Sequence, residues 1–262
     1  MNFELKGKVA IIGGSSKGLG KACAISLAKE GANIVICAND INSLKKTKKE
    51  IEILGVRVLD IFADMSSESD NQKIIQETIS TFGHIDILIN NSGGPKPGTF
   101  NEITSDEWDE AYNSVLKYNI RMIKGCLPYM EKNQWGRIIN ITSLAVKEPA
   151  PTLVLSNVFR AGVVSLAKSL SKDLISKGIT INNICPGAFK TDRAIELMEN
   201  RAKTLGIIVE EVEKQAVSNF PQKRYQNPDE LGDLVCFFSS NRAAAITGTT
   251  IQIDGGISNS LL

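Results

Sequence analysis

Short apolar runs alternate along this chain with longer stretches whose apolar residues recur every three or four positions. The runs are KVAII at 8–12, NIVIC at 33–37, VRVLDIF at 56–62, DILIN at 86–90, GRIINI at 136–141, ITINNI at 179–184 and TIQID at 250–254. Several are continuously apolar instead of alternating, which suits strands covered on both faces. Between them, Ile75, Ile79 and Phe82 share one face of a helix over 69–83. Val163, Ala167, Leu170 and Leu174 share a face further on, at helical spacing. The alternation predicts an α/β fold, a doubly wound parallel sheet of Rossmann-like type, in a single domain over 1–262. No repeat or low-complexity segment interrupts it.

One interval breaks the rhythm. From Arg193 to Arg224 charge is dense and the apolar positions (Leu197, Met198, Leu205, Ile207, Ile208, Phe220) are scattered. It follows the sixth strand, so its start falls at the carboxyl edge of the sheet, where such folds bind ligands. A helical lid over a site, at 193–224, is the expectation.

Composition narrows the function classes. The 262 residues are 42% hydrophobic and 23% charged, with 30 Lys and Arg against 29 Asp and Glu. No net field draws the chain to nucleic acid or to anionic lipid. The lysines at 45, 46, 48 and 49 read as a solvated helix face. Cys23, Cys37, Cys126, Cys185 and Cys236 are odd in number and widely spaced, and His84 is the only histidine. That pattern fits reduced, buried thiols and no metal site. The start, MNFELKGKVAII, lacks a signal-peptide pattern and no apolar run reaches a membrane span. A cytoplasmic protein is expected.

After the first strand comes GGSSKGLGKACAISLAKEG, with Gly14, Gly18 and Gly20 spaced G-x-x-x-G-x-G. Glycines there permit positive φ and let backbone N–H groups approach a pyrophosphate, and the following helix adds its positive end. A glycine pattern alone is weak; between this strand and this helix it is a specific nucleotide signal.

The motifs together resemble those of the short-chain dehydrogenase/reductases, of the kind close to bacterial 3-oxoacyl-acyl-carrier-protein reductases. They are GGSSKGLG, AD at Ala63–Asp64, NNSGG, GRIINITS, NNICPGAFKT and ITGTTIQIDGG, which run to the C-terminus. Two departures are mild: Gly13 stands for the usual threonine and Ser92 for the usual alanine. The resemblance implies that Gly14, Ser16, Lys17, Gly18, Leu19 and Gly20 line the cofactor phosphates. It places Asp64 and Met65 beside the adenine, Asn90, Asn91 and Gly93 on the adenosine side, and Pro186, Gly187 and Thr191 at the nicotinamide end.

Charge near the ribose decides between cofactors. Ala38 stands where NAD-preferring relatives carry aspartate, and Lys17 matches a basic position that NADP-preferring ones use. Asn39, where many of those place arginine, and the following Asp40 pull the other way. NADP(H) is the preferred cofactor and NAD(H) the alternative.

The catalytic positions do not match. The family uses asparagine, serine, and a Tyr-x-x-x-Lys pair. The tyrosine moves the proton, the lysine lowers the tyrosine pKa and holds the nicotinamide ribose, the serine binds the substrate oxygen, and the asparagine holds a relay water. Alignment from ITS puts the serine at Ser143, the tyrosine position at Ser156 and the lysine position at Arg160; alignment from Trp108 puts the asparagine position at Val115. No Y-x-x-x-K occurs elsewhere in the chain. Ser156 is a far weaker acid than a phenol. Arg160 keeps the charge, and with it a means to hold the ribose or an anionic substrate group, but releases no proton at neutral pH. Asn119, one turn beyond Val115, reads as a polar residue at a solvent or subunit face, with a relay water as the alternative. Tyr112 and Tyr118 have no evident link to the site, and His84 is remote from it.

Two functions remain open at this point. One is an oxidoreductase acting on a carbonyl or alcohol, with thioesters among the candidate substrates, by a non-standard proton path through Ser143, Ser156 or water. The other is a nucleotide-binding protein without turnover, a sensor or an assembly partner. The resemblance implies a homotetramer or homodimer.

Overall fold

The computed structural model describes residues 2–261. Among these, seven strands form one sheet: β1 (Val9–Gly13), β2 (Asn33–Ala38), β3 (Val58–Phe62), β4 (Ile87–Asn90), β5 (Gly136–Ile141), β6 (Ile179–Pro186) and β7 (Thr250–Ile253). Their order is β3-β2-β1-β4-β5-β6-β7, and every neighbouring pair is parallel. This is the doubly wound arrangement that the apolar runs predict. β6 extends past its run to Pro186 because β7 pairs with Asn183–Pro186 and carries the ladder two residues further.

The helices are α1 (Gly18–Lys29), α2 (Ile41–Glu52), α3 (Glu68–Phe82), α4 (Ser105–Ala111), α5 (Tyr118–Lys132), α6 (Val154–Ile175), α7 (Asp192–Leu205), α8 (Val209–Ala216) and α9 (Pro228–Ser239). A π-helical turn, Tyr112–Lys117, joins α4 to α5. Local chemistry sets the ends. Ser67 accepts from the Asp70 amide at the start of α3, and Gly83 ends that helix at φ 80°, a conformation glycine adopts without a Cβ penalty. Thr104 and Glu107 form a reciprocal capping box on α4.

Two apolar layers cover the sheet. One packs Ile12, Ile34, Ile36 and Ile89 against α1 and α9 through Leu27, Leu231 and Phe238. The other packs Ile11, Val35, Leu88 and Ile138 against α3, α5 and α6 through Ile74, Met122 and Ala167. Because both faces are covered, the strands read as continuous apolar runs. The chain passes from β1 outward to β3 and returns to β4 beside β1. That reversal opens a crevice at the carboxyl ends of β1 and β4.

The span 193–224 holds the bulk of α7 and all of α8, joined through Gly206 at φ 68° and packed on Met198, Ala202 and Val212. All five cysteines are buried and free. Lys45, Lys46 and Lys49 are exposed on α2, while Lys48 pairs with Asp60 at 2.6 Å. Among the described residues no helix is long and apolar enough to cross a membrane.

Candidate functional site

The loop from Gly13 to Gly18 turns the chain from β1 into α1. Gly14 and Gly18 hold φ of 53° and 56°, where a Cβ is strained. A Cβ on Gly20 would overlap the Gly14 carbonyl oxygen and the Asn91 amide, so the helix approaches the turn as closely as it does only with glycine there. Ser15 ties the loop down: its hydroxyl donates to the Ile12 carbonyl at 2.7 Å and accepts from the Cys37 amide at 3.0 Å. Thr47 donates to the Ser16 carbonyl at 2.9 Å. The half-buried Leu19 side chain packs against the core.

The Gly18 amide donates to the Asp192 carboxylate at 3.0 Å. A carboxylate on a helix N-terminal N–H is an anion in an anion site. Asp192 opens α7, and Thr191, just before it, lies against Gly18. The loop amide therefore takes an anionic group, and here that group is the Asp192 carboxylate.

A cleft of about 360 Å³ runs from this loop along the carboxyl edge. Gly14, Ser16, Asn39, Asp64, Met65 and Gly93 line it, and Glu107, Glu110 and Ser114 form its far wall. Lys96, on the loop after Gly93, crosses to Glu107 in a short ion pair. Asp64 turns its carboxylate back onto Ser66, accepting from its amide and its hydroxyl at 2.8 Å each. Lys17 meets Asp40 at 2.8 Å. Their hydrogen bond is the chief cause that raises the Lys17 pKa and holds the Asp40 carboxyl well below the usual range. Asp40 also caps α2, accepting from the Ser43 amide at 3.1 Å. The acidic residue after Asn39 thus sits on the very lysine expected to meet a phosphate.

The two asparagines after β4 act differently. Asn91 donates to the Gly13 and Gly14 carbonyls at 3.0 and 3.2 Å and braces the phosphate loop. Asn90 points along the sheet, donating to Asn140 at 2.9 Å, which donates in turn to Asn183 at 2.9 Å. Its side chain belongs to this buried ladder, not to the cleft lining.

The residues at the expected catalytic positions lie near the tips of β5 and β6, outside the lining of the cleft. Ser143 accepts from the Ala145 amide at 3.1 Å, capping a short turn, and its own O–H has no acceptor among the described residues. Ser156, in the first turn of α6, is 8% exposed, and its hydroxyl has no hydrogen-bond partner among the described residues. One turn later Arg160 donates through Nη1 to the Ile141 and Thr142 carbonyls at 2.9 and 3.0 Å. Its Nε and Nη2 have no partner among the described residues. Burial pushes its pKa down to about 10, so it remains a cation at neutral pH. The Gly187 amide donates to Ile253 at 2.9 Å, and a Cβ on Gly187 would overlap the Asp254 backbone. Ser143, Arg160, Pro186 and Gly187 therefore gather at one edge.

Val115 is 1% exposed. Asn119 is buried instead of facing solvent, donating to the Val115 carbonyl at 2.7 Å while its own Oδ1 is buried without a partner. The π turn displaces carbonyls from the α-helical ladder, and Asn119 meets one of them. Tyr118 is fully buried, and its hydroxyl fills the space where a Cβ on Gly13 would lie. Glycine in place of threonine at 13 thus goes with a large side chain at 118. Burial pushes the Tyr118 phenol well above its usual pKa. Tyr112 packs against Phe159, ring centroids 6.0 Å apart. His84 contacts the Phe82 carbonyl and Asp86, before β4 and at the opposite edge of the sheet.

Sequence reasoning missed Asp192 and the Glu107–Glu110 wall. The adjacency of Asp192 to Thr191 was a signal for the first. Nothing in the spacing of α4 signals the second.

A family model described as enoyl-(acyl carrier protein) reductase matches residues 14–258. An NADPH-dependent reductase, BacG, of Bacillus subtilis is 31% identical over 97% of this chain and 99% of its own length. The 3-oxoacyl-[acyl-carrier-protein] reductase FabG of Staphylococcus epidermidis is 30% identical over 95% of this chain and 98% of its own. Among solved structures, L-sorbose reductase from Gluconobacter frateurii, complexed with NADPH and L-sorbose, superposes with a TM-score of 0.96 at 30% identity, covering 100% of both chains.

Proposed function

The chain belongs to the short-chain dehydrogenase/reductase family, and from that premise we propose that it is an NADP(H)-dependent oxidoreductase acting on a small carbonyl or alcohol substrate. The observation that carries the reading is the phosphate loop, whose Gly18 amide already takes a carboxylate, with Lys17 at its rim. BacG is named as NADPH-dependent and the L-sorbose reductase structure holds NADPH, and no acidic side chain stands at Ala38 to repel a 2′-phosphate.

Bound here, the cofactor would supply a hydride. The loop amides from Gly14 to Gly20 would hold its pyrophosphate, and Lys17, paired with Asp40 at 2.8 Å, would be the group to meet a 2′-phosphate. Thr191 and Gly187 border the nicotinamide end. At the substrate oxygen, Ser143 and Ser156 offer hydroxyls and Arg160 offers two free faces of its guanidinium. Ser143 and Ser156 are far weaker acids than a phenol and Arg160 serves as a fixed cation, so the proton path is non-standard and water is its source. General acid catalysis is worth roughly 10²–10⁴-fold in rate, which sets the size of the deficit against tyrosine-bearing relatives. The helices α7 and α8 act as the lid over the substrate, and the protein works in the cytoplasm as a homodimer or homotetramer.

The test is oxidation of NADPH with a panel of ketones, acetoacetyl thioesters and quinones. Turnover above background with one of them supports the reading. Nucleotide binding with no turnover on any substrate points instead to a nucleotide-binding protein that has lost catalysis.

A further inference from the structure

Arg160 gives one side of its guanidinium to the protein and keeps the other. Nη1 alone is spent, on the Ile141 and Thr142 carbonyls at 2.9 and 3.0 Å. Nε and Nη2 have no partner among the described residues, and neither is among the sealed side-chain atoms left unpaired there, so both reach solvent. Those two nitrogens form the side-on edge of the group, whose parallel N–H bonds match the two oxygens of a carboxylate.

The surroundings favour an anion at that edge. Burial is what lowers the Arg160 pKa, so the cation stands where loss of water is costly, and a bound anion offsets that cost. Lys147, half-buried four residues after Ser143, brings a second positive charge, and both cations act on the Cys185 thiol near the end of β6. Among the described residues neither has a carboxylate partner. Glu148 and Asp254, acidic residues that follow Lys147 and β7 in the chain, turn to the C-terminal segment instead. Glu148 accepts from the Ser258 hydroxyl and the Asn259 amide at 2.9 Å each, and Asp254 from the Gly256 and Ser258 amides at 3.0 and 2.9 Å. One turn before Arg160, on the same face of α6, the Ser156 hydroxyl is a further donor with no partner among the described residues.

A neutral ligand leaves this charge unanswered. The hydroxyls of a nicotinamide ribose accept from the same edge of Arg160 but balance neither cation. A carboxylate accepts both bonds and cancels a charge.

We propose that the substrate is an oxo acid, and that the Nε–Nη2 edge of Arg160 holds its carboxylate while the carbonyl is reduced. The inference rests on the oxidoreductase reading above and names its substrate class. The carbonyl carbon gains a hydride, and with it two electrons, from the reduced nicotinamide, which is left oxidised. The carbonyl π pair moves to oxygen, that oxygen takes a proton from water, and the product is a hydroxy acid. Arg160 is then a specificity residue, which orients the carbonyl through the neighbouring carboxylate and supplies no proton.

The experiment uses the whole chain and pairs each acid with its methyl ester. In 2-oxobutanoate, acetoacetate and levulinate the carbonyl lies one, two and three bonds from the carboxylate carbon. NADPH oxidation is followed for all of these acids and esters. For at least one pair the acid is expected to have a kcat/KM roughly a hundredfold above its ester, the worth of hydrogen bonds to a charged group. In Arg160→Met that ratio collapses toward one. Arg160→Lys keeps a cation without the fork and recovers only part of it. Because the ratio compares two substrates on one protein, losses of folding or of cofactor binding cancel from it. A second arm needs no turnover: the same acids and esters are titrated calorimetrically onto the protein loaded with NADP+, where no hydride is available. The preferred acid is expected to bind at least tenfold more tightly than its ester, and Arg160→Met removes the difference.

Esters reduced as well as their acids, or a ratio unchanged in Arg160→Met, overturn the proposal and leave the oxidoreductase reading standing. An equal loss on both members of a pair does the same and assigns Arg160 to the nicotinamide ribose alone. Reduction confined to uncharged ketones, thioesters or quinones also overturns this proposal only. No NADPH oxidation with any of these compounds overturns both.

Discussion

The Gly18 amide and the Asp192 carboxylate are 3.0 Å apart, so the first residue of α7 sits in the phosphate loop. A pyrophosphate must displace it. Asp192 also adds, with Glu196, to the negative field around Lys17. Asp192→Asn is expected to tighten NADPH binding by roughly two- to fivefold, the worth of one surface charge at a helix N-terminus, measured by fluorescence titration. Weaker binding would show that the carboxylate helps to organise the site.

Lys17 and Asp40 form a second competition, at 2.8 Å. Freed of its partner, the ammonium meets a 2′-phosphate at no cost in broken pairing. Asp40→Asn should therefore raise the preference for NADPH over NADH. Lys17→Ala should lower it by roughly 10- to 100-fold, given that hydrogen bonds to charged groups contribute about 1.5–3 kcal/mol. The readout is the ratio of the two dissociation constants; an unchanged ratio in Lys17→Ala would remove that lysine from cofactor choice.

Tyr118 and Gly13 predict a pair of stability effects. The Tyr118 hydroxyl is buried beside the Asn91 backbone with no well-formed hydrogen bond among the described residues, so Tyr118→Phe should change stability by no more than about 1 kcal/mol and should leave turnover unchanged. Gly13→Thr places a Cβ on that hydroxyl and on the Asn91 carbonyl oxygen, and should destabilise by about 1–3 kcal/mol. Adding Tyr118→Ser to Gly13→Thr recovers only part of this, because the Asn91 backbone remains in the way. Thermal melts of the variants decide.

Glu148 lies between Ser143 and Ser156 in the chain and holds the C-terminal tail. It accepts from the Asn259 amide and the Ser258 hydroxyl at 2.9 Å each. Those bonds, that of the Asn259 amide foremost, lower its pKa from 4.5. A depressed carboxyl contributes stability in full above its unfolded pKa and loses it as pH falls through the folded one. The tail should therefore be protected from hydrogen exchange at neutral pH and released progressively below about pH 4.5. Glu148→Gln should release it at all pH values. Equal protection in Glu148→Gln at neutral pH would mean that other contacts hold the tail.

The strands were legible because burial on both faces forces continuous apolar runs, and the phosphate loop because only glycine meets its backbone demands. The opening turns of α6 were partly legible too: the spacing of Ser156 and Arg160 puts them on one face, and the helix carries them there. Asn119 was misread. A polar residue in a helix is solvated more often than not, and the π turn that gives it a buried partner has no sequence mark. Asn90 was legible as a strand-end residue, but the ladder through Asn140 and Asn183 depends on three strands in register.

The sequence by itself determined the sheet, the loop that turns into α1, and the loss of tyrosine, lysine and asparagine from their usual positions. These are local matters of periodicity, backbone freedom and residue identity. Only the tertiary structure decided which charges meet: Asp40 on Lys17, Asp192 on Gly18, and the backbone of β5 on one nitrogen of Arg160 with the others left over. Coulomb and hydrogen-bond energies depend on separations of a few ångströms between residues far apart in the chain, and spacing along a sequence carries no record of those distances.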